Sequence, residues 1–202
     1  MNQLLIYIFL FMIFVNSILN SDENIIIDSE MTFEEAIRGT NAPDSVINNL
    51  MLLNIKYLSF DGKIHQGQLV IHKDLAEEVN GIFEFMLKEK FPIAKMIPIV
   101  KYGWSDEKSM EDNNTSAFNY RFIAGTTRLS NHSFGRAIDI NPFFNPVIYP
   151  DGRKVPGKAK YEADKPGRLH ENHIVVKEFK RLGWRWGGNF SKYSDLHHFD
   201  KN

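Results

Sequence analysis

Cysteine is absent from all 202 residues, which excludes disulfides, thiolate metal ligands and cysteine nucleophiles together. Any chemistry must therefore come from His, Asp, Glu, Ser, Tyr, Lys or Arg. An excess of charge of one sign is also missing. There are 24 basic and 25 acidic residues, a formal charge of -1 and no one-sign block, so nothing electrostatic points to a nucleic-acid partner. Strongly apolar sequence is concentrated at residues 4–19, Leu-Leu-Ile-Tyr-Ile-Phe-Leu-Phe-Met-Ile-Phe-Val-Asn-Ser-Ile-Leu, which has the length of a secretory h-region and is short for a full membrane span. Its n-region carries only the amino terminus as positive charge, and Asn20-Ser21 is a poor small-x-small cleavage site. Residues 1–21 thus read as a signal peptide or an uncleaved N-terminal membrane anchor. Either way the part from Asp22 onward is expected outside the cytoplasm, and an exported chain without cysteine fits a bacterial envelope setting.

The remaining length suits one domain with a proper core. Residues 22–49 read as a polar lead-in with a short helix near Met31 to Arg38 capped by Thr32, and residues 50–202 as the domain itself. Leu53 to Phe60 and a second strand ending at His72, joined through Asp61-Gly62, predict a β-hairpin. From Lys73 to Lys90 the apolar residues Leu75, Val79, Ile82, Phe83, Met86 and Leu87 recur at helical spacing, which places Glu77, Glu78 and Glu84 on the solvated side. Residues 102–117 show neither period and read as a polar surface loop, with Asn119 to Ile123 a strand leaving it. Residues 141–170 hold five prolines and read as a long irregular excursion, a binding or lid loop. Glu171 to Leu182 is a helix with Gly183 beyond its end, and Trp184 to Gly188 and Leu196 to Phe199 are the last strand segments.

Chemistry concentrates in two runs, Ser130-Asn-His132-Ser-Phe-Gly-Arg-Ala-Ile-Asp139 and Asp195-Leu-His197-His198-Phe199. Two imidazoles and one carboxylate are the ligand set of a hydrolytic zinc ion that keeps one position open for water. His132 precedes Asp139 by seven positions, and Gly135 between them lets the chain turn so that both reach one ion. The period of two in Ala137 to Asn141 sets Ile138 and Ile140 on one face and Asp139 on the other. On a strand only one of His197 and His198 reaches a given metal; spacing alone puts Asp195 on the face of His197, whereas a turn at Asp195 would favour His198. Both alternatives stand at this level. Ser130 also fits a simple turn cap. Ser105-Asp-Glu-Lys108 matches the Ser-x-x-Lys pattern of serine peptidases, but its companion Ser-Asp-Asn and Lys-Thr-Gly elements are missing and the segment reads as loop; no Gly-x-Ser-x-Gly elbow is present either.

These runs, with Tyr57-Leu-Ser-Phe-Asp-Gly-Lys, Gly67-Gln-Leu-Val-Ile-His, Phe91-Pro-Ile, Asn113-Asn-Thr-Ser-Ala-Phe-Asn-Tyr-Arg121 and Gly183-Trp-Arg-Trp-Gly-Gly188, resemble the VanY-like zinc D-alanyl-D-alanine carboxypeptidases. The wider group holds D,D-dipeptidases, L-alanyl-D-glutamate endopeptidases and hedgehog domains. The resemblance extends from about residue 50 to the end. It implies an α+β fold, an antiparallel sheet with packed helices of the hedgehog/D,D-peptidase kind. It also implies one Zn2+ ion held by His132, Asp139 and His198, with Asp195 as general base for a zinc-activated water and His197 as a structural neighbour. Arg121 is implied as the group polarising the substrate carbonyl, and Ser130 as a substrate contact. The base is Asp where several relatives carry Glu. The implied substrate is a peptidoglycan stem peptide or its precursor, cut by a chain acting as a monomer. A zinc module that binds peptidoglycan or protein without catalysis is the alternative, since hedgehog domains keep such a site for other ends; Asp195 argues against it.

Overall fold

In the computed structural model, which describes residues 25–202, the chain enters at β1 (Ile26–Ile27), followed by two single-turn helices, α1 (Phe33–Ala36) and α2 (Asp44–Ile47). Thr32 caps α1 as expected, in a capping box with Glu35. The export or anchor segment lies outside the described residues, and among those described no helix is long and apolar enough to cross a membrane. The predicted hairpin is β2 (Leu50–Leu58) and β3 (Ile64–His72), antiparallel from Leu50↔His72 to Leu58↔Ile64 around the Asp61-Gly62 turn. β1 adds to the far edge of β3 in parallel, giving the order β1-β3-β2.

Both faces of this sheet are covered, which explains the unbroken buried run Gly67 to Ile71 in β3. One face packs on α3 (Ala76–Lys88), whose Val79, Ile82, Phe83 and Met86 meet Leu53, Ile55, Tyr57, Leu69 and Ile71. On the other face Ala36 and Ala42 of the lead-in join Leu50, Val70 and Phe118 in a second, smaller core. The lead-in thus shields one side of the hairpin. Glu78 departs from the solvated face expected of it: its carboxylate accepts from Trp184 Nε1 at 2.6 Å and from Lys201 Nζ at 2.9 Å, tying α3 to the C-terminal segment.

The chain continues through β4 (Lys95–Met96) into α4 (Asp106–Glu111) and β5 (Asn114–Thr115), which pairs with β4 in parallel. The expected polar loop therefore contains a helix. Ser105 caps it, its hydroxyl accepting from Lys108 N, so the Ser-x-x-Lys run does begin a helix, and only its missing companions exclude a serine mechanism. Six residues are too few to display a helical period. The expected strand at Asn119 to Ile123 is reduced to a single bridge, Phe122↔Leu129.

Next come β6 (Ala137–Asp139), β7 (Val147–Ile148), β8 (Lys154–Val155), α5 (Ile174–Arg181), β9 (Arg185–Trp186), β10 (Ser194–Asp195) and β11 (His198–Asp200). They form two further small sheets, β10-β7-β8 and β6-β11-β9. The excursion at 141–170 is consequently not structureless. β7 and β8 pair within it, and Asn145 and Leu169 are fully buried. The single antiparallel sheet of the sequence expectation is corrected to four small sheets, two of them with parallel pairs; the class, mixed α and β, stands.

Candidate metal centre

His132 lies on a 3-10 turn, Asn131–Phe134, entered at Ser130 and left at Gly135. The Ser130 hydroxyl accepts from His132 N at 3.3 Å, so the turn-cap role holds for it. Gly135 has a φ of 64°, and a Cβ there would sit 2.6 Å from His72 N, so only glycine lets this turn rest against β3. The His132 ring is buried, with Nδ1 2.5 Å from the Ala117 carbonyl, to which it donates. That bond leaves the Nε2 lone pair as the free ligand site.

Asp139 closes β6, with His198 as its cross-strand partner on β11. Directly opposed residues of an antiparallel pair present neighbouring side chains on one face. His198 Nδ1 lies 2.9 Å from Asp139 Oδ1, His132 Nε2 lies 3.2 Å from Asp139 Oδ2, and the two imidazole nitrogens are 3.2 Å apart. Three atoms bonded tetrahedrally at ~2.0–2.1 Å to one ion stand about 3.3 Å from one another. His132, Asp139 and His198 therefore fit a metal ion by both donor type and spacing.

The electrostatics agree with a cation site. Burial alone would lift the Asp139 carboxyl, but the neighbouring His132 and His197 and the hydrogen bonds from His132 and His198 hold it well below the usual carboxylate range. Burial also pulls the His198 imidazole down, yet its bonds to Asp139 and Asp200 win and push it up to about 10. Without a metal, the carboxylates around His198 thus favour a proton.

Asp200 escaped the sequence expectations. It shares the face of His198 two residues along β11, while Phe199 between them turns inward and stacks on Phe179 with ring centroids 4.0 Å apart. Its carboxylate lies 3.6 Å from His198 Nε2, behind the proposed ligand atom. Arg185 Nε at 2.8 Å and Asn131 Nδ2 at 2.8 Å hold it there. Burial opposes ionisation, but His198 and Arg185 outweigh it and keep the Asp200 carboxyl at about 2. A carboxylate behind a ligating histidine fixes its ring and raises its basicity. The period of two could have found Asp200; no sequence signal could have found the Ala117 carbonyl.

Asp195 lies on β10 and is held next to β11 by a close approach to Gly187, where a Cβ would come within 2.8 Å of the Asp195 Cβ. Its Oδ1 is 3.0 Å from His197 Nε2, and that nitrogen is 3.9 Å from Asp139 Oδ2. The Arg121 guanidinium faces Asp106 of α4, and among the described residues no hydrogen bond or ion pair joins it to the three-residue cluster. A cleft of about 340 Å³ lined by Phe91, Pro92, Gly167, His170 and His173 shares no residue with that cluster, which is chemically the better site.

Residues 124–201 match the family model described as D-alanyl-D-alanine carboxypeptidase. The matched segment contains His132, Asp139, Asp195 and His198 and begins just after Arg121. No curated protein and no solved structure matches the chain.

Proposed function

With residues 124–201 matching the D-alanyl-D-alanine carboxypeptidase family, we propose that this protein is a zinc peptidase that hydrolyses peptidoglycan stem peptides, releasing the terminal D-alanine. The observation that carries the proposal is the convergence of His132, Asp139 and His198 inside the matched segment. The reading includes the hedgehog/D,D-peptidase-like arrangement and work outside the cytoplasm, the latter supported by the apolar run at residues 4–19.

His132 through Nε2, His198 through Nδ1 and the Asp139 carboxylate would hold the ion. A bound zinc ion would supply Lewis acidity there and would lower the pKa of water at the site toward ~7. Asp195 takes the proton as water attacks the peptide carbonyl, and returns it to the leaving amine. Arg121 would exchange its pairing with Asp106 for the oxygen on which negative charge develops, and Ser130 is assigned as a substrate contact on the resemblance alone. Asp200 keeps the His198 ring turned so that Nδ1 faces Asp139.

The test is digestion of peptidoglycan and of a free D-alanyl-D-alanine-ended pentapeptide, with and without chelator, followed by mass spectrometry. Release of D-alanine that stops on chelation and returns with zinc supports the proposal. Cleavage indifferent to chelator sinks the metal mechanism. A zinc-loaded protein that releases nothing points instead to a non-catalytic binding module.

A further inference from the structure

We propose that His197 is a positioning residue that sets the carboxylate of Asp195, an inference that rests on Asp195 being the base of the reaction above. The His197 ring is 3 % exposed and anchored at one end, where Nδ1 donates to the Asn145 carbonyl at 2.6 Å. Asn145 is itself immobilised. Its side-chain amide donates to the carbonyls of Ile140 and Gly167 at 3.1 and 3.0 Å, and its Oδ1 accepts from Leu169 N at 2.7 Å. The ring therefore cannot shift without breaking a buried network across the 141–170 segment.

At the other end Nε2 stands 3.0 Å from Asp195 Oδ1. That oxygen is buried and makes no hydrogen bond among the described residues, so the imidazole edge acts on it as a packing contact that limits rotation of the carboxylate. The backbone of Asp195 is held from the other side by its close approach to Gly187. Both constraints act on a short side chain whose terminal torsion is otherwise broad. A reacting carboxylate must be held within about 0.5 Å and 10–20° of its working geometry, and about 1 Å of misplacement can cost a hundredfold in rate. The two readings that sequence left open are thereby reconciled. Asp195 and His197 do meet, while His198 turns to Asp139.

The test uses the zinc-loaded full chain as wild type, His197→Ala, His197→Gln, Asp195→Asn and the double variant His197→Ala/Asp195→Asn. Zinc content, kcat and KM are measured on the D-alanyl-D-alanine-ended pentapeptide. His197→Ala is expected to keep its zinc and its KM while kcat falls about tenfold to a hundredfold. His197→Gln, which keeps a planar side chain of similar reach beside the same oxygen, is expected to recover part of the loss. In the Asp195→Asn background the alanine change is expected to cost nothing further, because its effect passes through Asp195. Unchanged kcat in His197→Ala, loss of zinc, or a fully additive double variant would each overturn the proposal. If the alanine variant does not fold, His197→Leu takes its place beside the glutamine variant. If the wild type releases no product, the peptidase reading fails on its own. Crystal structures of the wild type and His197→Ala then decide, and a carboxylate that stays in place overturns the positioning role.

Discussion

The hairpin β2–β3 and the sheet β6-β11-β9 sit against the same core yet are built in opposite ways. The hairpin has two nine-residue strands in continuous register, with α3 on one face and the lead-in helices on the other. The other sheet has strands of two and three residues, and it carries Asp139, His198 and Asp200. Its ladder is too short to supply much stability by itself. It is held instead by Phe199 on Phe179, by Ile138 and Ile140 in the main core, and by ion pairs such as Arg185 with Asp200. The difference teaches that buried apolar area and clustered polar groups are concentrated on separate elements: the long hairpin supplies the first, and the short strands bring Asp139, His198 and Asp200 together.

The sharpest way to break that division is at the proposed ligands. His132→Ala or Asp139→Asn is expected to abolish metal binding and to reduce activity on the order of a thousandfold or more, since several kcal/mol of charge stabilisation leave with the ion. The metal-free fold should remain intact. Metal content by mass spectrometry and circular dichroism of the apo chain test this, and either variant retaining normal metal content would dissociate the cluster from the metal.

On the hairpin side, Phe83→Ala in α3 removes a fully buried ring and should lower the unfolding free energy by about 3–5 kcal/mol in a denaturant titration. Metal stoichiometry should stay unchanged at temperatures where the variant is folded. A parallel fall in metal affinity would show that the two regions are coupled.

Asp200→Asn tests the support behind His198 and should weaken zinc affinity about tenfold to a hundredfold. It also carries a pH signature. The Asp200 carboxyl is held at about 2 in the folded chain, below its ordinary value of 3.8, so its ionised form favours folding. That contribution is fully present above about pH 4 and is lost as pH falls through about 2. Acid unfolding of the metal-free Asn variant should therefore depend less on pH across this window than that of the wild type. The smallest effect is expected at Thr32→Ala, which removes the α1 cap far from the centre and should cost about 1 kcal/mol in thermal or denaturant unfolding with zinc affinity unchanged.

Where local signals were long, the sequence was legible. Asp61-Gly62 announced the hairpin, the spacing from Leu75 to Met86 announced α3, and Thr32 and Gly183 marked helix ends. Where elements were short it was not: α4 has six residues and β7 and β8 two each, below the length at which either period can be seen. Glu78 was misread because helical spacing separates faces but does not say what approaches a face, and here Trp184 and Lys201 do.

By itself the sequence determined the chemical inventory: no thiols, imidazoles and carboxylates gathered in two runs, a glycine able to turn one of them, and a pattern that resembles a zinc peptidase family. Tertiary structure decided which atoms meet. Antiparallel register set His198 opposite Asp139, the Ala117 carbonyl freed Nε2 of His132, and the Asn145 carbonyl turned His197 toward Asp195. Backbone carbonyls and cross-strand register leave no mark on side-chain identity, so only the folded chain could assign the two adjacent histidines to different partners.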